Sequence, residues 1–411
     1  GPRESNPPVR RRARRPPAPM SGGETVSVHG ETTVGWDDKV LPNETADDDG
    51  QPVQPTPELV RRIFAKPDPC APARRSWDDP GVQRLRAHLR EKNGLAGLEI
   101  CGTEEVERAV RLFRRDGFVV VRDVLDAARL QRLREGTSRV LAQLLAEPGP
   151  GGRRAFSESG KLAHRYGFGT CSNTRHMAHD ATWVELMDLP TTTPILTKIF
   201  GSPDYQVLGC GGELSLPGAI EYQHLHRDSP DNPGALDEKR VEQAKLLGLK
   251  PKPKLSTNKL MHEFTPPYVC IHFLTSDLTW ENGPIRQIPG THAIQQEPPS
   301  PEDEPEWMKL STLVGAPAGG AIIRDGRAWH GATPNVSREV RSMPNVEYSP
   351  PWNKGWRERF MPHELWETLS PHGRHICRYI KAEPGGWPEG AGRVHPVANV
   401  RGRQNFPPAK L

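Results

Sequence analysis

YQHLHRDSPDN, residues 222–232, places His224, His226 and Asp228 at alternating positions. Three chemistries use parts of this stretch. His226-Arg227-Asp228 matches the opening of a protein-kinase catalytic loop. That loop needs an Asn five residues after the Asp, where this chain has Pro233, with Asn232 one short. No Gly-rich nucleotide loop precedes it and no Asp-Phe-Gly follows, so a three-residue match carries little. His224-x-His226-x-Asp228 matches a dinuclear zinc hydrolase, but the closing ligand is replaced by Ser229. His226-x-Asp228 alone is two-thirds of a 2-His-1-carboxylate site, which holds ferrous iron and leaves coordination positions open.

The rest of the chain favours the third reading. On a strand, residues i and i+2 share a face. His226 and Asp228 then reach one metal while Arg227 points away, and His224 is expected in the surrounding shell. The second histidine must come from a distant strand. His330, in IIRDGRAWHGATPNVSREVR (322–341), follows an apolar run, and Gly331 after it admits close backbone approach. A 2-oxo acid cosubstrate needs a cation for its far carboxylate, and Arg supplies a planar, always-charged fork. Arg341 lies eleven residues after His330. A turn around Pro334-Asn335 and a returning strand would bring it back towards the metal.

Composition sets the frame. The chain has 411 residues, 35% hydrophobic, with 44 Pro and 39 Gly, so part of it must be loop or tail. A net charge of +4 argues against a dedicated nucleic-acid binder. Six scattered cysteines without a CxxC pair form neither a disulfide framework nor a zinc finger. They predict free thiols in an intracellular, cytoplasmic setting, with an organelle left open by the Arg-rich N-terminus. No apolar run reaches the roughly 20 residues of a membrane span, and no signal-peptide core is visible.

Residues 1–70, with RRRARR (10–15) and ETADDDG (44–50), predict a disordered tail of basic and acidic runs. Residues 71–204 predict a helical part with one early strand. The spacing gives a helix over 102–117 with Thr103 as N-cap and Gly117 as its end, a strand over 118–125, and a helix over 126–147 capped by Asp126. A further helical region over 181–201 is interrupted by Pro190. Residues 205–360 have β-sandwich texture, short apolar runs bounded by Gly, Pro and Asn. An insertion over 229–262 contains a charged helix (235–254) and the lysines Lys250, Lys252, Lys254 and Lys259, read as a solvated lid. Residues 361–411 form a C-terminal extension.

These residues resemble the phytanoyl-CoA dioxygenase family of Fe(II)/2-oxoglutarate oxygenases. The resemblance rests on RRDGFVVVRDVLD (114–126), QHLHRD (223–228), ENGPIRQIPGTH (281–292) and WHGATPNVSREVR (329–341), in this order. It implies an α+β, mainly β fold: a double-stranded β-helix, jelly-roll or cupin-like, with flanking helices. It implies His226, Asp228 and His330 as iron ligands, Arg341 on the 2-oxoglutarate C5 carboxylate and Gln223 as a further cosubstrate contact. Relatives carry Thr or Leu at the position of Ile285, and Ile285 cannot donate a hydrogen bond. The carboxylate of Asp228 favours hydroxylation over halogenation, with O₂ as second cosubstrate and succinate and CO₂ as products. Tyr166, Arg175, Tyr348 and Trp352 are candidate substrate contacts, and the substrate is a small organic or lipid-like molecule. A zinc-dependent hydrolase and a metal-binding scaffold without turnover are the alternatives. His292 is expected to stabilise its loop by hydrogen bonding.

Overall fold

The computed structural model describes residues 27–32, 34–36, 76–146, 164–169, 177–229, 265–294, 297–300, 302–353 and 359–385. Its N-terminal half carries α1 (Pro80–Lys92), β1 (Ile100–Cys101), α2 (Val106–Asp116), β2 (Phe118–Val121), α3 (Ala127–Ala146), β3 (Arg165–Phe168), α4 (Ala181–Val184) and α5 (Thr193–Phe200). Then come β4 (Gln206–Ser215), β5 (Val269–Phe273), β6 (Arg286–Gln287), α6 (Glu306–Leu310), β7 (Ala321–Asp325), β8 (His330–Gly331), β9 (Arg341–Ser349), α7 (His363–Glu367) and α8 (Pro371–Ile376).

Seven strands form one sheet in the order β1-β2-β7-β5-β9-β4-β3, and β6 pairs with β8 in a small second sheet. Isolated bridges extend the small sheet: Ala219 with Asn335, His226 with His330, and Arg286 with Thr312. The two sheets face each other, which is the jelly-roll core expected, and helices cover the large sheet's other face.

Strand alternation sorts the side chains. Val119, Val121, Ile271, Phe273, Ile323, Val346 and Tyr348 join the core that also holds Leu112, Leu133, Trp183 and Leu196 from the helices. Their neighbours Phe118, Val120, Ile322 and Met343 face inward, with Leu274, Ile285 and Leu313. Each large-sheet strand thus buries both faces.

Local signals hold with shifted bounds. Asp126 caps α3 by accepting from the Arg129 N–H at 2.7 Å. The region around Pro190 splits into α4 and α5. The second helix starts later than Thr103. The chain first turns, with the Glu105 N–H on the Gly102 carbonyl at 3.2 Å and the Glu105 carboxylate accepting from the Gly102 N–H at 2.6 Å. Gly117 ends α2 at φ +83°. Its bare Cα also makes room for the His292 ring, which a Cβ would meet at 2.6 Å.

One expectation is corrected at the N-terminus. Residues 27–36 lie within the expected tail, yet Val28 and Val34 are buried, and Trp36 Nε1 donates to the Ser337 carbonyl at 2.7 Å. Trp36 meets Trp77 edge-on at 5.6 Å, and the Arg86 and Arg338 guanidinium groups stack on Trp77 at 4.1 and 4.6 Å. Apolar burial, the Trp36 indole hydrogen bond and the Trp36–Trp77 contact hold this segment against the domain. The runs RRRARR and ETADDDG and the insertion helix 235–254 with its lysines lie outside the described residues.

Candidate metal centre

His226 and His330 are brought together by backbone pairing. Each N–H donates to the other residue's carbonyl, at 3.0 and 3.1 Å. The 222–232 stretch is not a continuous strand but an extended segment held by single bridges, and its alternation still brings His226 and Asp228 to one point. The donor atoms of His226, Asp228 and His330 lie within 4.8 Å of one another, and this is the one such His/Cys/Asp/Glu group among the described residues. Both imidazole Nε2 atoms face Asp228 Oδ1, at 3.7 Å from His226 and 3.6 Å from His330. An ion about 2.1 Å from two ligands at right angles needs them about 3 Å apart, a small adjustment away.

The hydrogen bonds behind these donors fit a divalent metal. His226 Nδ1 lies 3.0 Å from the His224 carbonyl, and His330 Nδ1 lies 3.1 Å from the Ala328 carbonyl. A carbonyl accepts only, so at His226 it fixes a proton on Nδ1 and leaves the Nε2 lone pair for a metal; His330 Nδ1 also lies 2.9 Å from the Arg324 guanidinium, a donor, and takes the same tautomer only when its Nε2 serves as a ligand. Asp228 Oδ2 accepts from Arg324 Nη2 at 2.6 Å. Burial pushes the Asp228 carboxyl up, and the Arg324 guanidinium together with the His330 and His226 imidazoles more than offsets this, holding it well below the usual carboxylate range. Burial likewise holds the His330 imidazole well below its usual value, so it is neutral, as a ligand must be.

A cavity of about 250 Å³ opens on the triad. Its wall includes Gln223, Tyr268, Cys270, His272, Asn345 and Glu347, and Ile285 is its one purely aliphatic residue among the described residues. Cys270 and His272 are thus the inward set of β5. Burial pushes the Cys270 thiol up and the His272 imidazole down to about 4, so both are neutral.

The other expected residues fall as follows. Gln223 is buried, lines the cavity and accepts from the Ala332 N–H at 3.1 Å through Oε1. Arg341 is buried at the start of β9 and donates from Nε to the Gly283 carbonyl at 3.0 Å. It shares the inward face of β9 with Asn345 and Glu347, which line the cavity, but is not itself among the lining residues. His224 stands apart from the triad, its imidazole lowered to about 4 by burial, so the dinuclear zinc arrangement is not assembled. His292 Nε2 meets the Arg114 carbonyl at 3.1 Å, as expected of a loop residue.

Three of the candidate substrate contacts are corrected. Tyr166 and Tyr348 are 1% and 0% exposed and belong to the helix-side core. The Tyr348 hydroxyl donates to the Met187 carbonyl at 2.9 Å, away from the cavity. Trp352 is 53% exposed and outside the cavity wall. Arg175 lies outside the described residues.

Sequence reasoning missed Arg324 and the buried pair Arg286–Glu304. Arg286 is fully enclosed, pairs with Glu304 and donates to the Gln223 carbonyl, so it fixes the segment that carries His226. Gly331 makes room for this: a Cβ there would meet the Gln223 carbonyl oxygen at 2.9 Å and Arg286 Nε at 3.0 Å.

Comparison with family models gives the family. The model of the phytanoyl-CoA dioxygenase family matches residues 113–343. A curated relative, Dioxygenase af480 of Aspergillus fumigatus, is 35% identical over 196 residues, which is 47% of this chain and 53% of the relative. The match thus spans about half of that protein's length. Among solved structures, the epimerase SnoN with Fe3+, alpha ketoglutarate and nogalamycin RO is 18% identical, with a TM-score of 0.42 over 60% of this chain and 84% of that one. HygX from Streptomyces hygroscopicus, with nickel, 2-oxoglutarate and hygromycin B, is 15% identical, with a TM-score of 0.41 over 61% of this chain and 90% of that one. Likenesses of this size do not bear on the reaction.

Proposed function

This chain belongs to the phytanoyl-CoA dioxygenase family, a family of iron- and 2-oxoglutarate-dependent oxygenases, and from that premise we propose that it hydroxylates a small, hydrogen-bonding organic substrate. The observation that carries the reading is the donor set. Two Nε2 atoms converge on one carboxylate oxygen, and each imidazole's Nδ1 has a backbone carbonyl within hydrogen-bonding distance.

His226, Asp228 and His330 would hold the ion, with one negative charge among three ligands. Iron with 2-oxoglutarate supplies oxygen activation coupled to conversion of the oxo acid to succinate and CO₂. The chain's own residues do the rest. Arg341 would pair with the far carboxylate of the oxo acid. Gln223, fixed by the Ala332 N–H, offers its amide to the same molecule. Ile285 gives the cavity an apolar contact and no hydrogen bond.

The polar wall and the volume of about 250 Å³ favour a compact, polar substrate over a long lipid chain. An anaerobic titration with Fe(II) and then 2-oxoglutarate tests the assignment. A weak visible charge-transfer band in the wild type, lost in Arg341→Ala only for the oxo acid, is the expected result. No band, with zinc retained instead, would sink the reading.

A further inference from the structure

Arg324 is the only Lys or Arg in the cavity wall among the described residues, and its side chain is 2% exposed. It lies 96 residues from Asp228 in sequence, yet Nη2 holds Asp228 Oδ2 at 2.6 Å. Strand β7 fixes its position: Arg324 is in register with Phe118 of β2 on one side and Cys270 of β5 on the other. It points inward, as Ile322 does two residues earlier. Its Nη1 lies 2.9 Å from His330 Nδ1. That nitrogen already faces the Ala328 carbonyl, and with its proton in place it cannot also accept. The bond to Asp228 is therefore the one that persists when His330 serves as a ligand.

We propose that Arg324 is a positioning residue that makes Asp228 a one-oxygen ligand. The proposal rests on the oxygenase reading above. A free carboxylate can chelate a metal through both oxygens and so fill an additional coordination position. Here Oδ1 faces the two Nε2 atoms and Oδ2 is occupied by a charge-assisted hydrogen bond. The carboxylate cannot swing its second oxygen to the ion without abandoning a buried cation, which is costly. The positions that the oxo acid and O₂ require are thereby kept open. A rigid guanidinium suits the task better than a mobile ammonium.

The test uses the whole 411-residue chain and Co(II), whose visible spectrum reports coordination. Wild type, Arg324→Lys, Arg324→Gln and Arg324→Met are titrated, with thermal melts alongside to separate folding from binding. Loss of an outer partner of a metal ligand weakens metal binding by roughly 10–100-fold. We expect that loss in Arg324→Met, together with a changed Co(II) spectrum, and partial recovery of both in Arg324→Lys. Should Arg324→Met fail to fold, the same ordering is read from Arg324→Gln, which keeps a neutral donor near Oδ2. Variants that bind Co(II) as tightly as wild type, or more tightly, with an unchanged spectrum overturn the positioning role while leaving the oxygenase reading intact. A wild type that binds neither Co(II) nor Fe(II) overturns both.

Discussion

His226 and His330 are bonded to each other twice through their backbones, and their ring centroids lie 4.2 Å apart. The two proposed ligands are thus held side by side through peptide groups. A metal that binds the folded chain and not the unfolded one stabilises the fold by mass action.

The melting temperature of the metal-free protein should therefore rise with added Fe(II) or Co(II). A ligand at 100 times its dissociation constant adds about 2.7 kcal/mol. Asp228→Asn, which leaves Arg324 an acceptor, should fold and lose most of this increment in calorimetry. An equal increment in wild type and variant would place the ion elsewhere.

Gly331→Ala should be disproportionately harmful for a single methyl group. The new Cβ would lie 2.9 Å from the Gln223 carbonyl oxygen, a backbone atom that cannot rotate away. Overpacking of this kind costs about 1–3 kcal/mol. It also pushes the His226 segment from His330, so Co(II) affinity should fall with stability. Urea denaturation and the Co(II) titration together check this.

Glu304→Gln should be among the most destabilising surface-distant changes. Arg286 and Glu304 have side chains 0% and 1% exposed. Breaking an enclosed pair costs about 3–5 kcal/mol, because the remaining charge is stranded. A loss below about 1 kcal/mol in urea denaturation would mean that the Arg286 bond to the Gln223 carbonyl suffices by itself.

Acid should unfold the metal-free protein earlier than its carboxylates alone require. Burial lowers the His272 imidazole from 6.5 to about 4. Between these values the unfolded chain holds a proton there and the folded chain does not. The contribution is fully present above pH 6.5 and is lost as pH falls towards 4, at up to about 1.4 kcal/mol per pH unit. His272→Asn should flatten that slope in urea denaturations from pH 7 to 4. An unchanged slope would refute the assignment.

Much of the candidate site's geometry was legible because the proposed chemistry fixes residue types at fixed offsets. His226, Asp228 and His330 needed only the alternation of an extended segment and one Gly. Arg324 was illegible because a cation inside the run AIIRD reads as the end of a strand. Nothing local says that a carboxylate 96 residues away will meet it. Tyr348 was misplaced for a simpler reason. Arg341 faces inward, so odd-numbered residues of β9 line the interior and Tyr348, an even one, must face the helices. The helix bounds shifted where Glu105 outcompeted Thr103 for the turn at Gly102. Residues 27–36 escaped notice because two buried valines and a tryptophan are a faint signal within a Pro- and Arg-rich stretch.

The pairing of β2 with β7 carries a consequence for how the protein comes into being. Phe118 meets Arg324 and Val121 meets Ala321, so the sheet's middle closes only when late-synthesised chain returns to early chain. Strand β9 then completes the sheet between β5 and β4. Pairings of such long range are slow to form, because loop-closure entropy is spent before any contact compensates it. A nascent chain leaving the ribosome thus holds α2 and α3 long before it holds a metal site. On the proposed assignment no metal can be held until His330 has been made and has met His226, and chains released before β9 would expose unpaired strand edges to one another.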